Sequence, residues 1–207
     1  MALAIGTSTT KSQRSVASLT YAHDATGADM LIIGAGERKY ATAATYNGVS
    51  ATALTRADNV AAQARQFYLP SPTTGSNNIV VTFDSAGSCQ SGATNFSGAS
   101  ATIGSEAQST GTSANITGGS ITAASGDIII DYASHGNGTP NTVDGSQTQQ
   151  YQVAQDNTML CSTKGGSGSS TNMSWTSGTI SLWASCSVVV QAASTPPSQN
   201  SAFFGLM

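Results

Sequence analysis

A chain of 207 residues has room for one well-filled core, and only 8% of this one is charged, against about 25% in an ordinary soluble domain. A net charge of -3, with 7 Lys and Arg scattered from Lys11 to Lys164, provides no basic patch for nucleic acid or for a membrane surface. The 10 carboxylates and 2 histidines are spread as thinly, so no catalytic, cofactor-binding or metal-ligating residue is assigned and a non-enzymatic β scaffold is expected.

The residues before Ser15 read as an N-terminal arm, 1–14. Ser15 to Ala22 then alternates with period two, placing Leu19 and Tyr21 toward a core. After the turn HDATGAD, Met30 to Ala35 is a near-continuous apolar run, as expected of a strand covered on both faces. Tyr40 to Tyr46 leads through Asn47-Gly48, a pair that accepts positive φ at both turn positions, into Val49 to Leu54 as a hairpin. Ala57 to Gln66 favours a short helix by local propensity, capped by Asp58 or Asn59. Phe67 to Leu69 is strand-like and ends at Pro70-Ser71-Pro72. Asn78 to Phe83 follows the next turn.

From Ser85 to Ser113 the residues are small and polar, with Phe96 and Ile103 as the large apolar anchors, so an edge strand or looped crossover is expected. Asn115 to Thr122 and Asp127 to Tyr132 restore strand signals. His135 to Gly145 reads as a loop, Gln147 to Val153 and Thr158 to Thr163 as two strands, and Lys164 to Ser170 as a flexible connection. Met173 to Trp175 and Thr179 to Ala192 close a domain of 15–193. Residues 194–207 form a Pro/Ser linker and an apolar tail. No internal repeat stands out. The pattern predicts a single antiparallel β-sandwich of about ten strands with short terminal extensions.

No apolar run approaches the roughly 18 residues of a membrane span, and the N-terminus has no basic segment before a signal-like core. Cys89, Cys161 and Cys186 match no zinc spacing and read as small thiols, with a disulfide between two of them open. His23-Asp24 with Asp29 reads as a solvated turn. His135 with Asp131 or Asp144 makes a poor hard-cation site. The sequons at Asn95, Asn115, Asn137 and Asn172 arise by chance in so Asn-, Ser- and Thr-rich a chain. Tyr21 and Tyr68 read as core, whereas Trp175 and Trp183 are candidates for a sugar-stacking platform.

The order of SLTYAH (18–23), MLIIGAG (30–36), TYNGV (45–49), FYLPSPTTGSNNIVVTF (67–83), SGDIIIDYASHG (125–136) and WASCSVVVQA (183–192) resembles the jelly-roll-like β-sandwich domains of tailed-phage virion proteins and bacterial surface proteins. The resemblance covers roughly residues 15–193 and implies a displayed structural or carbohydrate-facing module. The expectation is a capsid decoration or cement protein, made in a host cytoplasm and incorporated in the virion. It would bind the major capsid protein or other virion proteins as a homo-oligomer, a trimer by preference, and would use neither nucleic acid nor membrane. Met1, Leu3 and Ile5, with Phe203, Phe204, Leu206 and Met207, are the expected interface residues, because both segments are apolar and lie outside the predicted sandwich. The alternative is a glycan-binding or adhesin module contacting sugars through Trp175 and Trp183.

Overall fold

The computed structural model describes residues 1–194, which fold as an all-β, wholly antiparallel structure of fifteen strands rather than ten, without a helix. The first sheet holds β1 (Ala4–Asp24), β2 (Met30–Glu37), β3 (Ala41–Tyr46), β4 (Val49–Ser50), β5 (Thr52–Asn59), β6 (Ala62–Pro70) and β7 (Ser76–Ser97). The second holds β8 (Ala99–Thr117), β10 (Ile128–His135), β11 (Asn141–Val143), β12 (Thr148–Ala154), β13 (Thr158–Gly165) and β15 (Ser174–Ala192), and β9 (Ile121–Thr122) with β14 (Ser170–Thr171) forms a short side ribbon.

Residues Ala4 to Arg14, expected as an arm, are the first half of β1 and pair with β7. This long pair is broken by register shifts between Gln13 and Ser18, where Ser15 takes φ 58°. The break lets the sheet fold over itself. Leu19, Tyr21, Ile79 and Val81 therefore share one core cluster with Leu31, Ile33, Phe67 and Leu69 of β2 and β6. The opposite face of β2, Met30 and Ile32, packs with Ile130, Cys161, Val188 and Val190 of the second sheet. Both faces of β2 are thus covered, as its unbroken apolar run predicts.

Three glycines set how closely backbone and rings approach. A Cβ on Gly34 would lie 2.1 Å from the Tyr132 ring, one on Gly92 2.4 Å from the Tyr151 ring, and one on Gly111 2.5 Å from the Trp183 ring. The first two pairs join the sheets, and the third spans β8 and β15.

The halves 1–98 and 99–194 repeat one topology. Long strands β1 and β7 pair throughout, β2 and β3 share the other side of β7, and β6 then β5 extend the sheet from β2. In the second half β8, β15, β10, β11, β13 and β12 take the same places in turn. The registers agree as well: Phe96 faces Ile5 and Met30, while Val190 faces Ile103 and Ile128. Asp29 accepts Gly98 N–H on its carboxylate at 2.6 Å and Ser71 N–H on its carbonyl at 2.7 Å. Asp127 does the same for Ala192 at 2.9 Å and Gly166 at 2.8 Å. Short echoes of the repeat survive in the sequence: Ile5-Gly6-Thr7 beside Ile103-Gly104-Ser105, Gly27-Ala28-Asp29 beside Gly126-Asp127, and Asn47-Gly48 beside Asp144-Gly145.

Each half reaches into the other with a hairpin tip. Asn59, ending β5, donates to Gly111 O at 2.8 Å and Trp183 O at 3.2 Å. The β12–β13 tip, Asp156 and Asn157, docks on Arg14, Glu37, Arg38, Ser88 and Gln90 of the first half.

Two further expectations are corrected. Ala57 to Gln66 is a β-hairpin and not a helix: Ala57, Ala62 and Ala64 lie in a cluster with Tyr132, Met159 and Cys186. Their helical preference is worth only tenths of a kcal/mol each, roughly, and yields to two full strand pairings and to the close approach small side chains permit. Ser85 to Ser113 holds the end of β7 and most of β8. Here β8 is a sheet edge as expected, but Cys89 to Phe96 is central and buried. Its polar side chains find partners, with Ser91 Oγ 2.9 Å from Tyr21 Oη and Thr94 Oγ1 2.9 Å from Ser8 Oγ.

Gly34→Ala is expected to lower unfolding free energy by about 3 kcal/mol, because a rigid ring occupies the methyl's place. Gly145→Ala, with open space around its Cβ position, should stay within about 0.5 kcal/mol. Urea denaturation of both variants checks the contrast.

Candidate functional site

Two places bring a buried carboxylate together with polar partners. The first is the seam where the β12–β13 tip meets the first half. Glu37 ends β2 at φ 105°, in the left-handed region that non-glycine residues avoid, and is fully buried. Its Oε1 accepts Asn157 N–H at 3.1 Å, and its Oε2 has no partner. Burial above all raises its pKa. Asp156 lies opposite in effect: Arg14, in a two-pronged contact reaching 2.6 Å, and Ser88 Oγ at 2.7 Å hold its carboxyl at about 2. Two carboxylates pushed apart in this way suit acid and base roles in an open cleft. Here Glu37 is sealed from solvent while Asp156 is partly exposed, and the contacts of the two tie the β12–β13 tip to the first half.

The second place is a chain of polar groups inside the second half. Asp131 of β10 is fully buried. Its Oδ1 accepts Ser162 N–H at 2.5 Å and Ser162 Oγ–H at 2.9 Å, and its Oδ2 accepts Trp175 Nε1–H at 2.7 Å. Gln147 Nε2 donates to Ser162 Oγ at 2.8 Å and to Ser174 O at 3.2 Å, while Gln147 Oε1 accepts Ser174 N–H at 2.7 Å. Burial lifts Asp131 to about 6 despite these donors. From the sequence Gln147 and Ser162 read only as strand residues, since nothing in their neighbours marks a charged partner, and Asp131 reads as part of a strand and as a poor cation ligand beside His135.

The sequence-predicted residues are dispersed. Trp175 is 1% and Trp183 5% exposed, so neither ring offers a face to a sugar. Trp175 serves Asp131, and Trp183 Nε1 donates to Ser113 Oγ at 2.9 Å. Their large rings fill the core formed with Ile116, Ala133 and Leu160. Met1 and Ile5 are exposed and Leu3 packs partly against the inter-sheet core. Phe203, Phe204, Leu206 and Met207 lie outside the described residues.

His23, expected in a solvated turn, is a buried β1 residue. Its Nε2–H donates to Asn95 Oδ1 at 2.8 Å and its Nδ1 accepts from Thr9 Oγ1 at 2.7 Å, an orientation set by Asn95 Nδ2 donating to Asp24 O. His135 Nδ1 lies 2.9 Å from Asn137 Oδ1, and Asp144 turns back on Ser146. Cys89, Cys161 and Cys186 are free and buried, and burial pushes Cys89 and Cys186 up to about 12, which leaves them unreactive as nucleophiles. An open groove of about 440 Å³ is lined by uncharged groups, among them Thr45, Asn47, Ser76, Asn77 and Asn78.

Asp131 ionises at about 6 in the fold against 3.8 ordinarily, so the folded chain holds this proton more tightly than the unfolded one. Stability is therefore expected to fall as pH rises through that window, by about 3 kcal/mol in all. Thermal melts between pH 4 and 7 should show the slope in the native chain and lose most of it in Asp131→Asn. Both tryptophans should emit at short wavelength and resist acrylamide, unless unfolded.

Compared with known proteins, the chain matches no family model, no curated protein and no solved structure.

Proposed function

We propose that this chain is a non-enzymatic bacteriophage virion structural protein, a capsid decoration or cement protein that holds to the assembled shell. The observation that carries the reading is that the chain enters and leaves the sandwich at one end. Ala4 pairs with Ser97, Ala99 pairs with Ala192, and Ala193 N–H donates to Gly98 O at 2.8 Å. Met1, 89% exposed, and Ile5, 37% exposed, sit at this end, and the segment carrying Phe203, Phe204, Leu206 and Met207 continues from it.

A neighbour covering this end takes Met1 and Ile5 out of water, at about 1.5 to 3 kcal/mol for each large side chain fully buried. The adjoining edges of β1 and β8 offer mainly hydroxyls and amides, so docking strips little charge of its hydration. Repetition over a symmetric shell multiplies a modest contact into durable attachment. In this reading the chain is made in the host cytoplasm, binds the major capsid protein and closes into a homo-oligomer, a trimer by preference, around the same end.

The glycan-binding alternative rests on the groove at Asn47, Asn77 and Asn78, whose amides suit sugar hydroxyls. Proteomic counting of purified particles tests the main reading, with a copy number comparable to that of the major capsid protein expected. Combined Ile5→Ser, Phe203→Ser and Phe204→Ser should weaken co-sedimentation with shells by about tenfold or more, equivalent to about 1.4 kcal/mol. Val60→Ser, at an exposed hairpin tip, should leave it unchanged. Glycan-array binding without shell attachment would replace this reading with the alternative.

A further inference from the structure

The chain from Asp131 through Ser162 to Gln147 has the parts of an acyl-transfer centre whose electrophile is the protein itself. We propose that Ser162 and Gln147 become joined by an intramolecular ester, formed once per molecule with Asp131 as the general base. Ser162 Oγ, the nucleophile, gives its hydrogen bond to Asp131 Oδ1 at 2.9 Å. The same oxygen receives Gln147 Nε2–H at 2.8 Å, which sets it beside the nitrogen that would leave, one side-chain rotation from the carbonyl carbon. Ser174 fixes which way the amide faces: its N–H binds Gln147 Oε1 at 2.7 Å and its carbonyl receives Nε2–H at 3.2 Å. The Ser174 N–H therefore points at the oxygen that gains negative charge when the carbonyl carbon is attacked.

The step balances within these groups. Ser162 Oγ bonds to Gln147 Cδ as its proton passes to Asp131, and the tetrahedral oxyanion is held by Ser174 N–H. Collapse breaks the Cδ–Nε2 bond, Asp131 returns the proton to the leaving nitrogen, and one ammonia departs. Nothing is oxidised or reduced and no co-reactant enters. A carboxylate with a pKa near 6 is basic enough to take a proton and acidic enough to return it near neutral pH.

An unactivated amide is a poor electrophile, but neighbouring side chains react as a single unit of high effective concentration once the Ser162 hydroxyl turns from the amide N–H to the face of the carbonyl carbon. One turnover suffices. Ser162 is fully buried and Gln147 nearly so, so the ester is shielded from water once made. Gln150 also donates to a hydroxyl, that of Thr163 at 2.8 Å, yet no carboxylate receives that hydroxyl's proton among the described contacts, and no bond is expected there.

The full-length chain, purified and denatured, is expected by intact mass spectrometry to weigh about 17 Da less than its sequence, the mass of one ammonia. Loss of ammonia from Asn47-Gly48 or Asn137-Gly138 would give the same mass, so the bond must be placed. Chymotryptic cleavage after Tyr151 should leave the fragments bearing Gln147 and Ser162 joined, and hydroxylamine should part them. Ser162→Ala and Gln147→Ala should each restore the full mass, and Asp131→Asn should slow or prevent the loss. A wild-type mass equal to the sequence, a loss that persists in Ser162→Ala, or fragments that separate without hydroxylamine would each overturn the ester.

Discussion

The structure depends on one close contact, the layer of β2 and β6 against the layer of β10 and β13. Tyr132 and Tyr151 lie where Gly34 and Gly92 leave the backbone bare, and a single methyl at Gly34 would stand 2.1 Å from a ring carbon. This explains why so small-featured a chain has a core at all. Its alanines, serines and glycines bury little area apiece, but they let two sheets approach until the few large side chains, Met30, Ile32, Ile130 and Val188 among them, touch across the gap. Hydrophobic burial and steric fit are one requirement here.

The repeated strand plan gives that contact its reciprocity. Two copies of one strand plan face each other, and each sends the tip of its second hairpin to the bend in the other's long strand pair. The two tips have diverged in chemistry. Asn59 grips main-chain carbonyls at Gly111 and Trp183, whereas Asp156 grips Arg14 and Ser88 beside the buried Glu37. The second tip therefore sets a charged group against a strained, half-satisfied acid, while the first is held by neutral bonds.

Fold class and many strand positions were legible because alternation and turn dipeptides are local. Asn47 and Gly48 do take φ 50° and 77°, as an Asn-Gly hairpin requires, and the apolar run at Met30 does lie between two layers. What escaped reading is what depends on distant partners. Ala57 to Gln66 looks helical until Tyr132 and Met159 are placed over it. Gln90 to Asn95 looks like a solvent edge until Tyr21, His23 and Ser8 supply its hydrogen bonds. The repeat was hidden because the halves share turns and registers while their core residues differ: Ile33 and Gly34 of β2 correspond to Asp131 and Tyr132 of β10. The candidate centres were hidden for the same reason, since Gln147, Ser162 and Ser174 meet only through pairing and side-chain contact.

The scarcity of charge and the reactivity inferred at Asp131 have a common cause. A buried carboxylate in most proteins is met by Arg or Lys, which holds the acid well below neutrality and makes it a weak base. This chain has 7 such residues in 207, and neither an arginine nor a lysine is among the causes acting on Asp131, whose partners are a backbone N–H, a serine hydroxyl and an indole. Neutral donors orient the carboxylate without fully compensating its burial, so its proton affinity stays near the working pH. At Asp156, where Arg14 is present, the carboxyl is driven to about 2 and serves only as a tether. A composition that leaves little for surface catalysis thus permits, inside the fold, a base poised to act on its own neighbour.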